Sequence, residues 1–274
     1  VTVLDDLSSG VRGNVPADAR FVHGSILDPD AVHDAMEDID VVVHLAAIAS
    51  VARSWEAPAE TAHVNVTGTI RVAHAASTAG ASRVIFASSA AIYGSSKAAL
   101  QREADPPAPA SPYAVHKLAG EQYLSMLSGE ATLDVRLLRF FNVYGPRQDP
   151  TSPYSGVISL FARALLAGDP LTVFGDGHQS RDFLFAPDLA RILRGMVEDD
   201  APAPPSPMNI ARSAPTTVLD LIDALRTVTG IEPEVRFGAP RPGDVRTSLG
   251  DPGRLRTWWR SCQARRQIAP HEQP

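Results

Sequence analysis

The sequence predicts an α/β fold, a doubly wound parallel sheet followed by a smaller α/β domain. Three observations carry that prediction. In the first half, short continuous apolar runs alternate with longer helix-patterned stretches, the rhythm of parallel strands joined by crossover helices. The runs are continuous and not alternating, as expected of strands covered on both faces. After about residue 150 the order becomes irregular, which places one domain over 1–150 and a second mainly over 151–274, with some of its segments returning to the first.

The strands of the first domain fall at 1–5, 20–23, 40–45, 83–87 and 134–140, and the helices at 28–36, 57–78 and 113–127. Asp28 and Pro29 make an N-cap and first-turn pair for the first helix. Proline-rich stretches at 105–112 and 201–207 continue neither a helix nor a central strand and are loops. Pro112 sits directly before Tyr113, so that tyrosine stands at a helix start. The second half reads as a helix over 156–167, a strand over 171–174, a helix over 187–197, a strand over 208–211 and a helix over 218–228.

Composition narrows the function. Hydrophobic residues are 44% and charged residues 20% without low-complexity tracts, so the chain has a core to bury. The net charge of −6 is spread along the sequence and offers no broad basic face, so no nucleic-acid partner is expected. Arg254, Arg256, Arg260, Arg265 and Arg266 cluster late and read as a solvated tail. No apolar run reaches membrane-spanning length and no signal-peptide pattern opens the chain, so no membrane partner and a cytoplasmic location are expected. Cys262 is the single cysteine, which excludes an intrachain disulfide and a thiolate cluster. No histidine pair has metal-ligand spacing, no metal is expected, and His44 reads as a packed strand-end residue.

The strongest chemical signal is Tyr113-Ala-Val-His-Lys117, because lysine is scarce: the chain has 23 arginines and two lysines. On a helix, residues four apart share a face, and an ammonium beside a phenol favours phenolate. Tyr113 is therefore the candidate general base and Lys117 its compact point charge. Asp5 closes the first strand, where a carboxylate accepts hydrogen bonds from an adenosine ribose and repels a 2′-phosphate, which favours NAD over NADP. Ser88 and Ser89 follow the strand at 83–87, at the carboxyl end where such sheets bind ligands.

The combination of Asp5, Ser89, Tyr113 and Lys117 resembles the extended short-chain dehydrogenase/reductase family, and the likeness runs through most of the chain. It is carried, in family order, by Val3-Leu-Asp-Asp-Leu-Ser-Ser-Gly10, His44-Leu-Ala-Ala47, Asn65-Val-Thr-Gly68, Ser88-Ser-Ala-Ala-Ile-Tyr-Gly94 and Pro112-Tyr-Ala-Val-His-Lys117. It continues through Arg139-Phe-Phe-Asn-Val-Tyr-Gly-Pro146, Gly175-Asp-Gly-His-Gln-Ser-Arg-Asp182 and Arg241-Pro-Gly-Asp244. The resemblance implies a Rossmann-like NAD-binding domain, a smaller substrate-binding domain, and epimerase/dehydratase chemistry on a nucleotide sugar. It implies Ser89, Tyr113 and Lys117 as catalytic residues. NAD contacts would come from Asp5, Asp6, Ser25, Ile26, Leu45, Ala46, Ala47, Asn65, Ser88, Phe140 and Val143, together with Tyr113 and Lys117. A UDP-sugar would be held by Ser89, Tyr113, Asn142, Val157, Arg181, Arg241, Asp244 and Ser248, and Arg147 would also face the substrate. The arginines fit this role because a diphosphate needs fixed cations.

Within the family, the two residues after Ser89 are Ala90 and Ala91, where relatives that eliminate or decarboxylate carry an acidic group. The resemblance therefore favours a UDP-hexose 4-epimerase working through a 4-keto sugar. Ser248 resembles the small residue that leaves room for an N-acetyl group, so both plain and N-acetylated sugars are expected. A nucleotide-sugar dehydratase or reductase, and an inactive relative that only binds nucleotide sugar, are the alternatives. Many relatives dimerise through two helices per subunit, and the resemblance implies that 57–78 and 113–127 would be those helices here.

The family's first strand and its Gly-x-x-Gly-x-x-Gly turn have no counterpart in the sequence, and Val1 falls in what resembles the second strand. That turn brings backbone and a helix N-terminus to the pyrophosphate, and the strand fills the middle of the sheet. The resemblance thus implies weak NAD binding, two unpaired strand edges and low stability for the chain as it stands. Ser25 replaces an adenine-contacting aspartate, and the segment from Trp258 to Arg266 departs from the family's closing helix.

Overall fold

The computed structural model describes residues 1–94, 96, 98–130, 133–149, 156–201, 206–240 and 245–268. It divides into two units. The first is Val1–Gly94, Pro106–Arg139 and Met196–Met208, and the second is Ser95–Asp105, Phe140–Gly195 and Asn209–Pro274.

In the first unit, β1 (Thr2–Asp5) pairs in parallel with β2 (Arg20–His23). Asp28 accepts the Asp30 N–H at 3.0 Å and starts α1 (Pro29–Ala35), so cap and proline act as their chemistry predicts. The valine run Val41–Val43 opens β3 (Val41–His44), which pairs in parallel with β4 (Arg83–Ser89). The other neighbour of β4 is β5 (Asp134–Phe140). As the middle strand, β4 is buried from Arg83 through Ser88. Among the described residues no strand pairing joins β1 and β2 to β3, β4 and β5, so the parallel sheet of this unit is in two pieces.

Helices cover the strands. The sequence expects one helix over 57–78, but the structure breaks this stretch into α3 (Pro58–Ala62), a π-helical turn at His63–Gly68, and α4 (Thr69–Thr78). A short α2 (Val51–Glu56), which the sequence reading lacks, precedes them. The long helix α5 (Pro112–Glu130) starts where Pro112 predicts. The core gathers Ile26, Val72, Ala76, Val84, Phe86 and Leu124 with Val135 and Leu137. Gly120 lets α5 approach β4 closely: a Cβ there would sit 2.6 Å from Phe86 Cζ. Polar groups at the other end of β4 are also buried. Arg83 Nε donates to Asp134 at 2.6 Å, Arg136 binds the same carboxylate at 3.2 Å, and Arg136 also meets Asp199.

The second unit is organised on β8 (Ser180–Phe185), whose residues alternate between buried and half-buried. It pairs in parallel with β6 (Asn142–Tyr144) and β12 (Thr247–Ser248), and antiparallel with β10 (Pro215–Thr217). A separate parallel pair joins β7 (Leu171–Phe174) and β11 (Val235–Gly238). Phe161 and Leu165 of α6 (Val157–Ala167) pack with Leu171, Val173, and Leu221 and Ile222 of α8 (Val218–Thr229). Three of the points where the chain passes between the units fall within β5, α7 (Ala186–Val197) and β9 (Met208–Ile210). The arginine-rich end is not a tail. It is α9 (Gly253–Ile268), with Leu255 and Cys262 buried and Trp258 and Trp259 against Gly195. Arg254, Arg256, Arg260 and Arg265 occupy its exposed positions, while the apolar stripe holds the helix down.

Candidate active site

The carboxyl end of β4 collects the predicted catalytic groups. Ser111 caps α5 by accepting the Ala114 N–H at 3.2 Å, and the Tyr113 N–H, one of the first-turn donors left over by the helix, goes to Ser54 Oγ at 3.1 Å. This fixes Tyr113 at the helix start. Its phenol interacts with the Ser89 hydroxyl, which also accepts the Ala91 N–H at 3.1 Å. One turn on, the Lys117 ammonium donates to the Ala87 carbonyl at 2.7 Å and lies 5.0 Å from the centre of the Phe86 ring and 5.9 Å from that of Tyr113.

The electrostatics differ from the sequence expectation in one respect. Burial raises the Tyr113 phenol above its ordinary value, and the Ser89 hydrogen bond only partly offsets it. The Lys117 ammonium bonds a carbonyl and not the phenol, so a Lys117-lowered phenol is not what the chain alone displays. Lys117 is itself lowered to about 8 by desolvation. His44 is buried at the end of β3, where desolvation first and the nearby Lys117 charge second lower it to about 3. It is therefore neutral, and its Nε2 meets Thr69 Oγ1 at 2.9 Å. It is the packed strand-end residue that the valine run predicts.

Around this centre, Asn65 is buried in the π-helical turn and holds the chain after β3 with both ends of its amide, accepting from Ile48 N at 2.8 Å and donating to Ile48 O at 3.1 Å. The turn thus positions the segment carrying Leu45, Ala46 and Ala47, of which Leu45 is 53% exposed. Ser88 is buried and donates to Glu121 at 2.6 Å, and Glu121 pairs with Arg139 at 2.9 and 2.7 Å. The Arg139 guanidinium lies 4.9 Å from the Tyr93 ring centre. Burial opposes its charge, but Glu121 and Tyr93 outweigh that and raise its pKa. Sequence reasoning missed Glu121 and Arg139, although the four-residue spacing from Tyr113 through Lys117 continues to Glu121.

At the end of β1, Asp5 Oδ1 accepts the Leu7 N–H at 2.7 Å, while Asp6 accepts the Ser8 N–H. Ser25 Oγ accepts the Leu27 N–H at 3.2 Å, and the Ile26 side chain is buried in the core, leaving only its backbone for a ligand. These groups suit a dinucleotide. The second Asp5 oxygen takes no hydrogen bond among the described residues, so a ligand hydroxyl could reach it. Lys117, 4% exposed, bonds one protein oxygen there and keeps N–H donors in reserve.

The remaining predicted residues lie in the second unit. Phe140 ends β5, and Asn142 and Val143 lie on β6, opposite Phe183 and Leu184 of β8. Val157 opens α6 against the core, and Arg147 is exposed with φ of 68°. Arg181 and Ser248 are partners in register, and the Arg181 guanidinium donates to Val245 O at 2.7 Å. Val245 lines an open cavity of about 400 Å³ with Phe174, Asp176, Gln179 and Arg246. Arg246 grips both oxygens of Asp176 at 2.9 Å, and the His178 N–H first, then Arg246, hold that carboxyl below its usual range. Arg241 and Asp244 lie outside the described residues.

Comparison with known proteins places the chain among nucleotide-sugar enzymes. The UDP-glucose 4-epimerase of Mycolicibacterium smegmatis is 39% identical over 264 residues, covering 93% of this chain and 83% of that protein. The structure of UDP-glucose 4-epimerase from Thermotoga maritima with UDP-glucose superposes with a TM-score of 0.88 at 35% identity, covering 93% of this chain and 83% of the other. The UDP-N-acetylglucosamine 4-epimerase from Methanobrevibacter ruminantium M1, in complex with UDP-N-acetylmuramic acid, gives 0.88 at 34% identity, with 93% and 82% covered. The model of the NAD-dependent epimerase/dehydratase family matches residues 1–211, and the chain belongs to that family.

Proposed function

We propose that the chain interconverts the C4 epimers of a UDP-hexose through a 4-keto sugar, using NAD. The observation that carries this reading is the Ser89, Tyr113 and Lys117 cluster at the carboxyl end of β4, followed by Ala90 and Ala91. Bound NAD supplies the hydride acceptor and donor at carbon 4. The residues proposed to hold it are Asp5 at the adenosine ribose, the segment from Leu45 to Ala47, and Lys117 at the nicotinamide ribose.

The chain's own groups handle protons and position. Ser89 orients the sugar 4-hydroxyl and Tyr113 takes its proton, returning it after the ketone is reduced on its other face. Because burial favours the protonated phenol, Tyr113 is well placed as the acid of the return step, and its action as a base strengthens as pH rises. Lys117 supplies a cation in the same dry site. No carboxylate follows Ser89 to drive elimination or decarboxylation, which favours epimerisation over the dehydratase alternative within the family.

Arg181 and Arg241 are the proposed diphosphate cations, with Asn142 donating beside them and Val157 and Asp244 completing the substrate contacts. The second-unit cavity beside Val245 is of a size to take part of a nucleotide. Ser248, small and in register with Arg181, is the proposed gate for an N-acetyl group. We further propose a cytoplasmic enzyme that dimerises through the 57–78 and 113–127 helices, which light scattering checks. No described helix is long and apolar enough to cross a membrane.

The test is incubation with UDP-galactose and with UDP-N-acetylgalactosamine in the presence of NAD, with products read by sugar NMR. Expected products are the C4 epimers of both. A 4-keto-6-deoxy product would make the chain a dehydratase. Ser248→Tyr is expected to lower kcat/KM for the N-acetylated sugar at least about tenfold, the scale of one filled pocket, while sparing the plain sugar.

A further inference from the structure

Tyr113, Lys117 and Glu121 follow one another at intervals of four on α5 and so form a single stripe along one helix face. Each meets one of three consecutive residues at the end of β4. Tyr113 interacts with Ser89, Lys117 donates to the Ala87 carbonyl at 2.7 Å, and Glu121 accepts from the Ser88 hydroxyl at 2.6 Å. The first two contacts belong to the proposed chemistry; the third joins a buried hydroxyl to a buried carboxylate.

Glu121 is also tied to a second strand. Both its oxygens take the guanidinium of Arg139 on β5, at 2.9 and 2.7 Å, with the two side chains 5% and 3% exposed. Apolar packing alone is a weak guide to register because it is non-directional. A charge-assisted bond to one strand and a forked ion pair to its neighbour are directional, and together they prevent α5 from sliding or rolling on the sheet. A buried ion pair seldom improves stability over an apolar pair of similar volume, which argues for a geometric role. We propose that Glu121, clamped by Arg139, is a positioning residue that sets the register of α5 on β4 and thereby holds Tyr113 and Lys117 against Ser89 and Ala87.

The inference takes its kinetic readout from the proposed epimerase activity, but its main test needs no substrate. The sequence has two lysines, Lys97 and Lys117, so ε-carbon-labelled lysine gives two titrating NMR signals that Lys117→Met assigns. Two variants break the device differently. The pair Glu121→Leu with Arg139→Met removes both charges together and leaves neither one stranded. Ser88→Ala keeps the ion pair and cuts its link to β4.

In the intact protein Lys117 is expected to titrate near 8. In both folded variants the midpoint is expected to rise by about one pH unit or more, as the ammonium regains water. The kcat for UDP-galactose should fall about tenfold or more with KM little changed, because positioning and not binding is lost. An unshifted Lys117 midpoint in folded protein overturns the proposal whatever happens to kcat. A shifted midpoint in a chain that epimerises no UDP-sugar overturns the functional reading and leaves the register claim standing.

Discussion

Two charge networks, one in each unit, meet water differently. In the first, Arg83, Asp134, Arg136, Asp199, Lys117, Glu121 and Arg139 are all largely shielded from water, and their bonds go to each other, to the Ser88 hydroxyl or to backbone carbonyls. In the second, the Arg246 and Asp176 pair beside the open cavity is 65% and 52% exposed. The contrast is compatible with the proposed function. Proton movement needs groups whose affinities are fixed by a dry surrounding, whereas capture of an anionic ligand needs cations that water and ligand can reach. It also separates cost: a buried charge is expensive to strand, and an exposed pair is nearly neutral to break.

The comparison breaks first at Asp134. Asp134→Ala leaves Arg83 and Arg136 without their shared carboxylate, and urea denaturation is expected to show a loss of about 3–5 kcal/mol. A loss no larger than that of a surface substitution would mean that water reaches this network.

The next effect is a pH dependence. The folded Lys117 value of about 8 lies below its ordinary 10.5, so the unfolded chain binds more protons between those values and stability rises with pH across that window. Lys117→Met is expected to abolish that rise and to be more stable below pH 8 by at most about 3 kcal/mol. Denaturation at pH 7 and pH 9 for both proteins checks the sign.

The smallest effect is expected in the second unit. Arg246→Ala should leave the thermal midpoint unchanged within measurement, and added salt should likewise do little to the midpoint of the intact protein through this pair. A clear drop would show that the cavity wall depends on it.

Much of this arrangement was legible from residues alone, for identifiable reasons. Tyr113 and Lys117 were visible because helical spacing places them on one face and because lysine is rare in the chain. Strand β4 was visible because a buried strand reads as an apolar run, and β1 and β3 kept such runs although they are only half-buried. Strand β8 was hidden because Ser180-Arg-Asp182 opens it with polar side chains, and Asp182 is buried by accepting the Arg212 and Ser213 N–H groups, a pairing no local pattern reveals. Helix α9 was hidden because exposed arginines are interleaved with the stripe of Leu255, Trp258, Trp259 and Cys262. Glu121 and Arg139 were missed because a buried ion pair depends on how two elements, α5 and β5, pack together, which no local pattern reveals.

The π-helical turn at His63–Gly68 has one more consequence. An extra residue carried within a helix rotates everything after it by about 100° relative to everything before. The turn therefore works as a vernier between α3 and α4: Asn65 is aimed at the Ile48 backbone and Thr69 at His44, two targets that an unbroken α-helix would serve with a different phase. Removing a single residue from His63–Gly68 would re-phase the whole of α4 against the sheet, so this stretch should tolerate exchanges of side chain far better than a change of length.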